Sequence, residues 1–301
     1  MNDRFLQELG RTTVLVNEAL AQLVTDRAEQ GETVRPQQLV VAMSHGLLNG
    51  GKRLRPFLVI QSAALFGVTA ERAMLTACAL ECLHSYSLIH DDLPAMDDDD
   101  LRRGKPTVHK AYDEATAILA GDALLTLSFD LLTRAECHPE AGVRCRLVSE
   151  LARASGLGGM IGGQVLDMTA EKSQPDDQQV RLLQSMKTGA LIRFACCAGA
   201  ILGQANDRDY EHLSKFGETI GLAFQLADDL LDVTSNAKTM GKAVGKDAER
   251  GKATLVSIHG VDKTQILLAE AVESALHSLA AFGERAEILH LTARYMAQRS
   301  S

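Results

Sequence analysis

The sequence predicts an all-α fold, a single large bundle of about ten or more helices around a central cavity. Alanine and leucine dominate the composition, while aromatic residues make up only 4%. The segments Leu75 to Ile89, Ala115 to Leu132, Val180 to Leu202 and Glu211 to Asp232 are long, free of proline and rich in helix formers. No alternating apolar and polar pattern with regular turn signals indicates a sheet. Helices are expected near 3–29, 36–49, 54–66, 70–92, 113–135, 140–154, 156–170, 176–203, 207–234, 252–280 and 283–298. Connections are short and no low-complexity linker interrupts them, so residues 1–301 read as one domain.

Bulk properties exclude several classes of function. A chain of 301 residues can bury a sizeable core. Its net charge is -8, with 39 acidic against 31 basic residues, and no strongly basic face offers itself to nucleic acid. Cys78 and Cys82 lie one helical turn apart, and Cys196 and Cys197 are adjacent. Such spacing suits small core residues in a reducing compartment better than a disulfide framework. Asp3, Glu8, Arg11 and Glu18 break up the start of the chain, unlike a secretory signal. No apolar run approaches the roughly 20 residues that span a bilayer. The expectation is a cytoplasmic protein without a membrane span.

Two aspartate clusters carry the chemistry. In the second, Gln225, Asp228, Asp229 and Asp232 fall at i, i+3, i+4 and i+7, one stripe of a helix. Its other residues, Leu222, Ala223, Phe224, Leu226, Ala227, Leu230 and Leu231, are apolar nearly all round, so the helix should be buried. Three buried carboxylates in one stripe repel one another unless a divalent ion neutralises them. An oxygen-only donor set without a His/Cys pair points to Mg²⁺, with Mn²⁺ as a substitute, and away from zinc. The first cluster, His90 to Asp100, ends an apolar helix. Pro94 cannot continue that helix, so Asp91 and Asp97 converge only if it bends or stops there. Asp91, Asp92 and Asp97 read as ligands; Asp98, Asp99 and Asp100 fit a solvated acidic loop equally well.

Cations accompany the clusters. Arg102 and Arg103 directly follow the first, where they can take a phosphate bidentately or merely pair with the aspartates. Gly50-Gly51-Lys52-Arg53-Leu54-Arg55-Pro56 stops one helix and opens another, a cradle for phosphate in company with other cations. Glu81, His84, Ser87 or Leu88, and Asp91 share one helix face, with His84 about 10.5 Å below Asp91 along an ideal axis. Thr188 and Gly189 lower helix stability by roughly 0.7 and 1 kcal/mol relative to alanine, so a distortion is expected around Lys187. Ala237 to Gly251 has glycines at 241, 245 and 251 and lysines at 238, 242 and 246, with Lys252 next, as in a cationic flap. Neither a nucleophile elbow nor a P-loop is present. The inventory suits metal-assisted departure of a diphosphate from an apolar substrate.

Taken together, these blocks closely resemble the trans-prenyltransferase family, the trans-isoprenyl diphosphate synthases, and within it the bacterial farnesyl diphosphate synthases. The resemblance rests on Gly50 to Pro56, His84 to Gly104, Ala120 to Leu124, Gly162 to Asp167, Lys187 to Ile192, Phe224 to Asp232 and Gly251 to Thr254, in the family's order. It implies the isoprenoid synthase fold, a homodimer, and condensation of isopentenyl diphosphate with dimethylallyl or geranyl diphosphate. By the same resemblance, Asp91, Asp92, Asp97, Asp228, Asp229 and Asp232 would hold Mg²⁺. Arg102, Lys187, Lys242 and Lys252 would grip the allylic diphosphate. Lys52, Arg55, His84 and Arg103 would hold isopentenyl diphosphate, and Thr188 and Gln225 would stabilise the carbocation.

Product length falls to Tyr86 and Ser87 in the same comparison. Tyr86, five residues before Asp91, resembles the bulky stopper of bacterial C15 synthases, which implies farnesyl rather than geranylgeranyl product. A straight helix alone places Tyr86 well round from Asp91. Leu255-Val256 follows Gly251 to Thr254 where the family commonly continues Tyr-Pro. Two competing readings are a non-catalytic subunit of a prenyltransferase heterodimer, which usually lacks one cluster, and a terpene cyclase, which has no use for a second diphosphate site.

Overall fold

Helices supply nearly all the regular structure in a computed structural model that describes residues 2–170, 173, 175–238 and 254–298. The all-α expectation holds. The chain divides into two compact units, one of Leu6–Ile60 and Thr69–Val148, the other of Met1–Phe5, Gln61–Val68 and Ser149–Ser301.

In the first unit, α1 (Asn2–Leu23) buries Leu9, Thr12, Val16 and Leu20, spaced three and four apart along one face. It stops six residues short of the expected end. Arg35 Nη1 donates to the carbonyls of Leu23 and Thr25, 3.3 Å each, which satisfies the open end of the helix. Helix α2 (Gln37–Leu47) and α3 (Leu54–Ala64) follow. Helix α4 (Ala70–Asp91) is buried on almost every side, with Ala77, Cys78, Ala79, Leu80, Cys82 and Leu83 fully enclosed.

A two-stranded antiparallel hairpin, β1 (Leu101–Arg102) and β2 (Lys105–Pro106), follows α4. Arg103 and Gly104 turn it with φ of 54° and 78°, the doubly positive pattern of a type I′ turn. Strands of two residues are too short to show alternation, so the sequence did not announce them. After the short α5 (Val108–Ala111), α6 (Glu114–Thr133) starts at Asp113, whose carboxylate accepts from the Thr116 N–H at 2.7 Å. Helix α7 is Ala141–Ser155.

The second unit holds α8 (Met160–Ala170), α9 (Asp177–Gln184), α10 (Ala190–Leu202) and α11 (Asp207–Lys238). The helix expected over 176–203 is interrupted by a π-helical turn at Ser185–Gly189, where Thr188 and Gly189 predict a distortion. Gly163 of α8 lies against this turn so closely that a Cβ there would overlap the Lys187 amide. The helix expected over 252–280 is two, α12 (Leu255–His259) and α13 (Val261–Ser278), because Gly260 adopts φ 77° between them. A 3₁₀ turn (Ala280–Ala286) and α14 (Glu287–Gln298) complete the described chain.

One expectation needs correction. By length and composition, Glu114–Thr133 and Asp177–Leu202 are each long and apolar enough to cross a membrane. Asp122 with Asp130, and Lys187 with Arg193, interrupt the runs in sequence without making the helices polar on average. Within the fold, 44% and 61% of their respective apolar windows are buried.

The buried polar centre of the first unit is Arg53, whose side chain is only 1% exposed. Its Nη1 donates to Glu81 Oε1 at 2.6 Å, its Nε to Asn17 Oδ1 at 2.8 Å and its Nη2 to the Leu47 carbonyl at 2.7 Å. Glu81 therefore serves the framework that starts α3. Arg53→Met should lower stability by about 3–5 kcal/mol because it strands a buried carboxylate. Adding Glu81→Leu should recover part of the loss, as read from guanidinium chloride denaturation midpoints.

Candidate active site

In the first unit, backbone turns at Gly50 and Gly51, with φ of 83° and 113°, lead into α3. Lys52 is exposed on this loop, and its carbonyl accepts from Thr13 Oγ1 at 3.1 Å. Arg103, at the hairpin tip, lays its guanidinium on Gly51 and donates to the Gly50 carbonyl. At the second residue of α3, Arg55 Nη1 donates to His84 Nε2 at 3.2 Å. A guanidinium cannot accept, so the imidazole proton sits on Nδ1. Burial, then Arg55, Arg103, Arg102 and Arg53, hold the His84 pKa well below the usual histidine range. The fold thus gathers three sequence blocks into one cationic patch with a neutral histidine, an arrangement ready for a polyanion.

At the end of α4 the helix stops at Asp91, and the chain doubles back so that the Asp97 N–H donates to the Asp91 carbonyl at 2.8 Å. The stop that convergence required is present. Asp92 is buried, and Arg102 takes its carboxylate through Nε, at 2.8 and 2.9 Å, and Nη2, at 2.6 Å. Burial raises the Asp92 pKa, and the Arg102 guanidinium opposes the rise. The Arg/Asp pairing is thus formed in this structure. Asp100 is exposed and pairs with Lys110 at 2.9 Å, while Asp98 is exposed, in keeping with a solvated acidic loop.

Below this end, Tyr86 is buried with its ring edge-on to His90, centroids 5.5 Å apart. Burial and then the charge of Asp91 push its phenol pKa up to about 12. Asp91 therefore acts on Tyr86 electrostatically, although helix geometry sets them on different faces. Ser87 is half-buried, and its hydroxyl donates to the His84 carbonyl at 2.8 Å.

The second unit places Asp228 and Asp229 half-buried and Asp232 exposed along α11. The Asp229 carboxyl has a pKa of about 6, raised first by burial and further by Asp228 and Asp232, against hydrogen bonds from Gln184 and Leu255. A carboxylate crowded in this way fits a hard cation. Among the described residues no three His, Cys, Asp or Glu side chains are gathered to hold an ion by themselves. Mg²⁺ characteristically takes one or two carboxylates and completes its shell with water and substrate phosphate, so an incomplete protein shell suits it. Lys187 projects from the π turn onto Asp167, 2.6 Å from its Oδ2. Thr188 is half-buried in the same turn, and Gln225 lines a cavity of about 440 Å³ together with Gln184, Ser185 and Met186. Lys242 and Lys252, with nearly all of the expected flap, lie outside the described residues.

A family model described as polyprenyl synthetase matches residues 36–287. The chain belongs to the polyprenyl synthetase family. The farnesyl diphosphate synthase of Escherichia coli K12 is 43% identical over 302 residues, covering 98% of this chain and 99% of that one. A chloroplastic geranylgeranyl pyrophosphate synthase of Catharanthus roseus is 41% identical, over 95% of this chain and 79% of its own. A crystal structure of an FPP/GFPP synthase from Zymomonas mobilis superposes with a TM-score of 0.88 at 40% identity, covering 99% of this chain and 100% of that one.

Within this polyprenyl synthetase, Asp167 and Gln184 are site partners that helical periodicity does not single out. Asp167 closes the Gly162 to Asp167 block, and only the fold reveals that it meets Lys187. Gln184 left a fainter signal: it stands four residues before Thr188, on the same face of one helix.

The His84 pKa lies below that of the unfolded chain, so its protonation opposes folding. The unfolded chain takes up this proton first, at about pH 6.5, so the folded form is fully stable above that pH and loses stability as the pH drops below it. Melting temperatures at pH 7.5 and 5.5 should therefore fall further apart in the wild type than in His84→Gln.

Proposed function

We propose that the chain condenses isopentenyl diphosphate with dimethylallyl or geranyl diphosphate, giving mainly farnesyl diphosphate. The observation that carries this reading is the patch of Arg55, His84 and Arg103 beside Lys52, alongside two intact aspartate clusters. A cyclase needs no second diphosphate site, and a non-catalytic subunit needs no second cluster. The family match runs across both compact units, which supports treating 1–301 as one catalytic domain.

The roles follow from the chemistry of each group. Asp91, Asp92 and Asp97, with Asp228, Asp229 and Asp232, would hold Mg²⁺, with Mn²⁺ as a substitute. Bound there, the ion would supply Lewis-acid stabilisation of the negative charge on the leaving diphosphate. Arg102, Lys187, Lys242 and Lys252 meet the charge that develops on the leaving group. Before metal and substrate arrive, Asp92 holds the Arg102 fork through both carboxylate oxygens. Lys52, Arg55, His84 and Arg103 hold isopentenyl diphosphate, and neutral His84 adds a donor at Nδ1 without further like charge. Thr188 and Gln225 offer oxygen dipoles to the carbocation. The isopentenyl double bond attacks, a C–C bond forms, and the proton lost from the adjacent carbon passes to the departed diphosphate.

Identities of 43% and 41% to relatives named for C15 and C20 products leave chain length to the pocket. Buried Tyr86 supports the shorter product. We also propose a cytoplasmic homodimer, supported by exposed Ile118 and Leu119 on α6, an apolar surface suited to a second copy.

Radiolabelled isopentenyl diphosphate should be incorporated with Mg²⁺ and either allylic starter, and chromatography should return chiefly C15 product. Conversion of farnesyl diphosphate to a hydrocarbon without uptake of label defeats the reading. Tyr86→Ala should shift the chromatogram to longer chains, and an unchanged C15 profile removes the stopper role. Asp167→Asn loosens Lys187 and should lower kcat/KM for the allylic substrate by about 10- to 100-fold with little change in melting temperature.

A further inference from the structure

Asp229 is held by two donors from different elements, and both converge on one oxygen. Gln184 Nε2, at the end of α9, donates to Asp229 Oδ2 at 3.2 Å, and the Leu255 N–H, at the start of α12, donates to the same atom at 3.2 Å. We propose that Gln184 and the Leu255 N–H are positioning groups that hold Asp229 Oδ2 and present Oδ1 to the divalent ion. This rests on the reading of Asp229 as a metal ligand and deepens it.

Three features support an orienting role. First, Gln184 is 7% exposed, yet its Oε1 is buried without a hydrogen-bond partner. Stranding a buried carbonyl costs about 1–3 kcal/mol, so the amide is not placed to satisfy itself. Its orientation is dictated by Asp229, because the reversed amide would set oxygen against an ionised oxygen.

Second, the direction of the Leu255 N–H is fixed. Thr254 and Ser257 form a reciprocal capping box, with Oγ1 accepting from the Ser257 N–H at 3.1 Å and Ser257 Oγ from the Thr254 N–H at 3.0 Å. The Leu255 side chain is fully buried.

Third, α9 ties down both ends of α12. Gln184, at the C-terminal end of α9, shares Asp229 with the start of α12. Asp177, at its N-terminal end, pairs with His259 Nε2 at 2.5 Å, at the close of α12. Both donors thus come from one braced pair of helices and meet the carboxylate before any ion arrives. Such outer partners fix ligand orientation, and their loss typically lowers metal affinity by about 10- to 100-fold.

The test is direct binding of Mn²⁺ to the full chain with inorganic pyrophosphate, read by electron paramagnetic resonance. Gln184→Leu removes one donor at nearly constant volume. Leu255→Pro removes the N–H, because proline is tolerated at the first helical position and extended Thr254 (φ -112°, ψ 161°) suits the residue before it; it also shortens a fully buried side chain, so Leu255→Ala, which keeps the N–H, is its control. Gln184→Leu should weaken Mn²⁺ binding about tenfold with melting near wild type, and Leu255→Pro should weaken it about tenfold relative to Leu255→Ala, each with wild-type circular dichroism. Binding within about twofold of wild type in both, with Asp229→Ala abolishing it, overturns the clamp and leaves the metal reading intact. Wild-type binding by Asp229→Ala itself overturns both.

Discussion

Repulsion among carboxylates on helices that are otherwise apolar is the constraint on which the rest of the structure depends. Asp228, Asp229 and Asp232 share one stripe of α11, and burial with mutual repulsion already lifts Asp229 to a pKa of about 6. At Asp229 the chain answers without a countercharge. A neutral amide and a backbone N–H reach Asp229, where an arginine would have neutralised the site and closed it to a cation. At the end of α4 the answer differs, because Asp92 receives a full guanidinium from Arg102. Asp229 is partnered by dipoles and Asp92 by charge, so the two carboxylates are not equivalent before substrate arrives.

The cationic side follows the opposite logic. Arg53 is wholly committed to Glu81, Asn17 and Leu47, so it stabilises the loop without adding a free charge to it. That commitment lets Arg55 and Arg103 stand close to His84, whose imidazole stays neutral beside them. A protonated histidine would add a further like charge to a group that already repels itself, whereas a neutral one accepts from Arg55 and keeps a donor on Nδ1. Patches of this kind are poorly balanced alone and become favourable when a polyanion fills them.

What the sequence disclosed, and what it withheld, follow from the range over which periodicity carries information. The helices, the α11 stripe and the distortion near Lys187 were legible because each depends on residues within one or two turns. The break at Gly260 was missed because a lone glycine inside a helical pattern does not declare its φ. The early end of α1 depends on Arg35, twelve residues beyond Leu23. The partners Asp167 for Lys187 and Gln184 for Asp229 lie 20 and 45 residues away, on other helices. A helical period names the face a side chain occupies and is silent about what packs against it.

The departure at Leu255-Val256 from the family's Tyr-Pro illustrates the same separation between backbone and side chain. Asp229 takes the N–H of residue 255, which leucine and tyrosine supply equally. The first intrahelical bond of α12 runs from the Ile258 N–H to the Thr254 carbonyl at 3.2 Å, so the N–H of residue 256 belongs to the first turn and has no intrahelical acceptor. A proline there removes a donor that the helix does not use, and a valine restores one without disturbing the bond to Asp229. The exchange alters how tightly the start of α12 is predisposed to its shape while leaving the carboxylate's partner in place, and here the capping box of Thr254 and Ser257 supplies that predisposition.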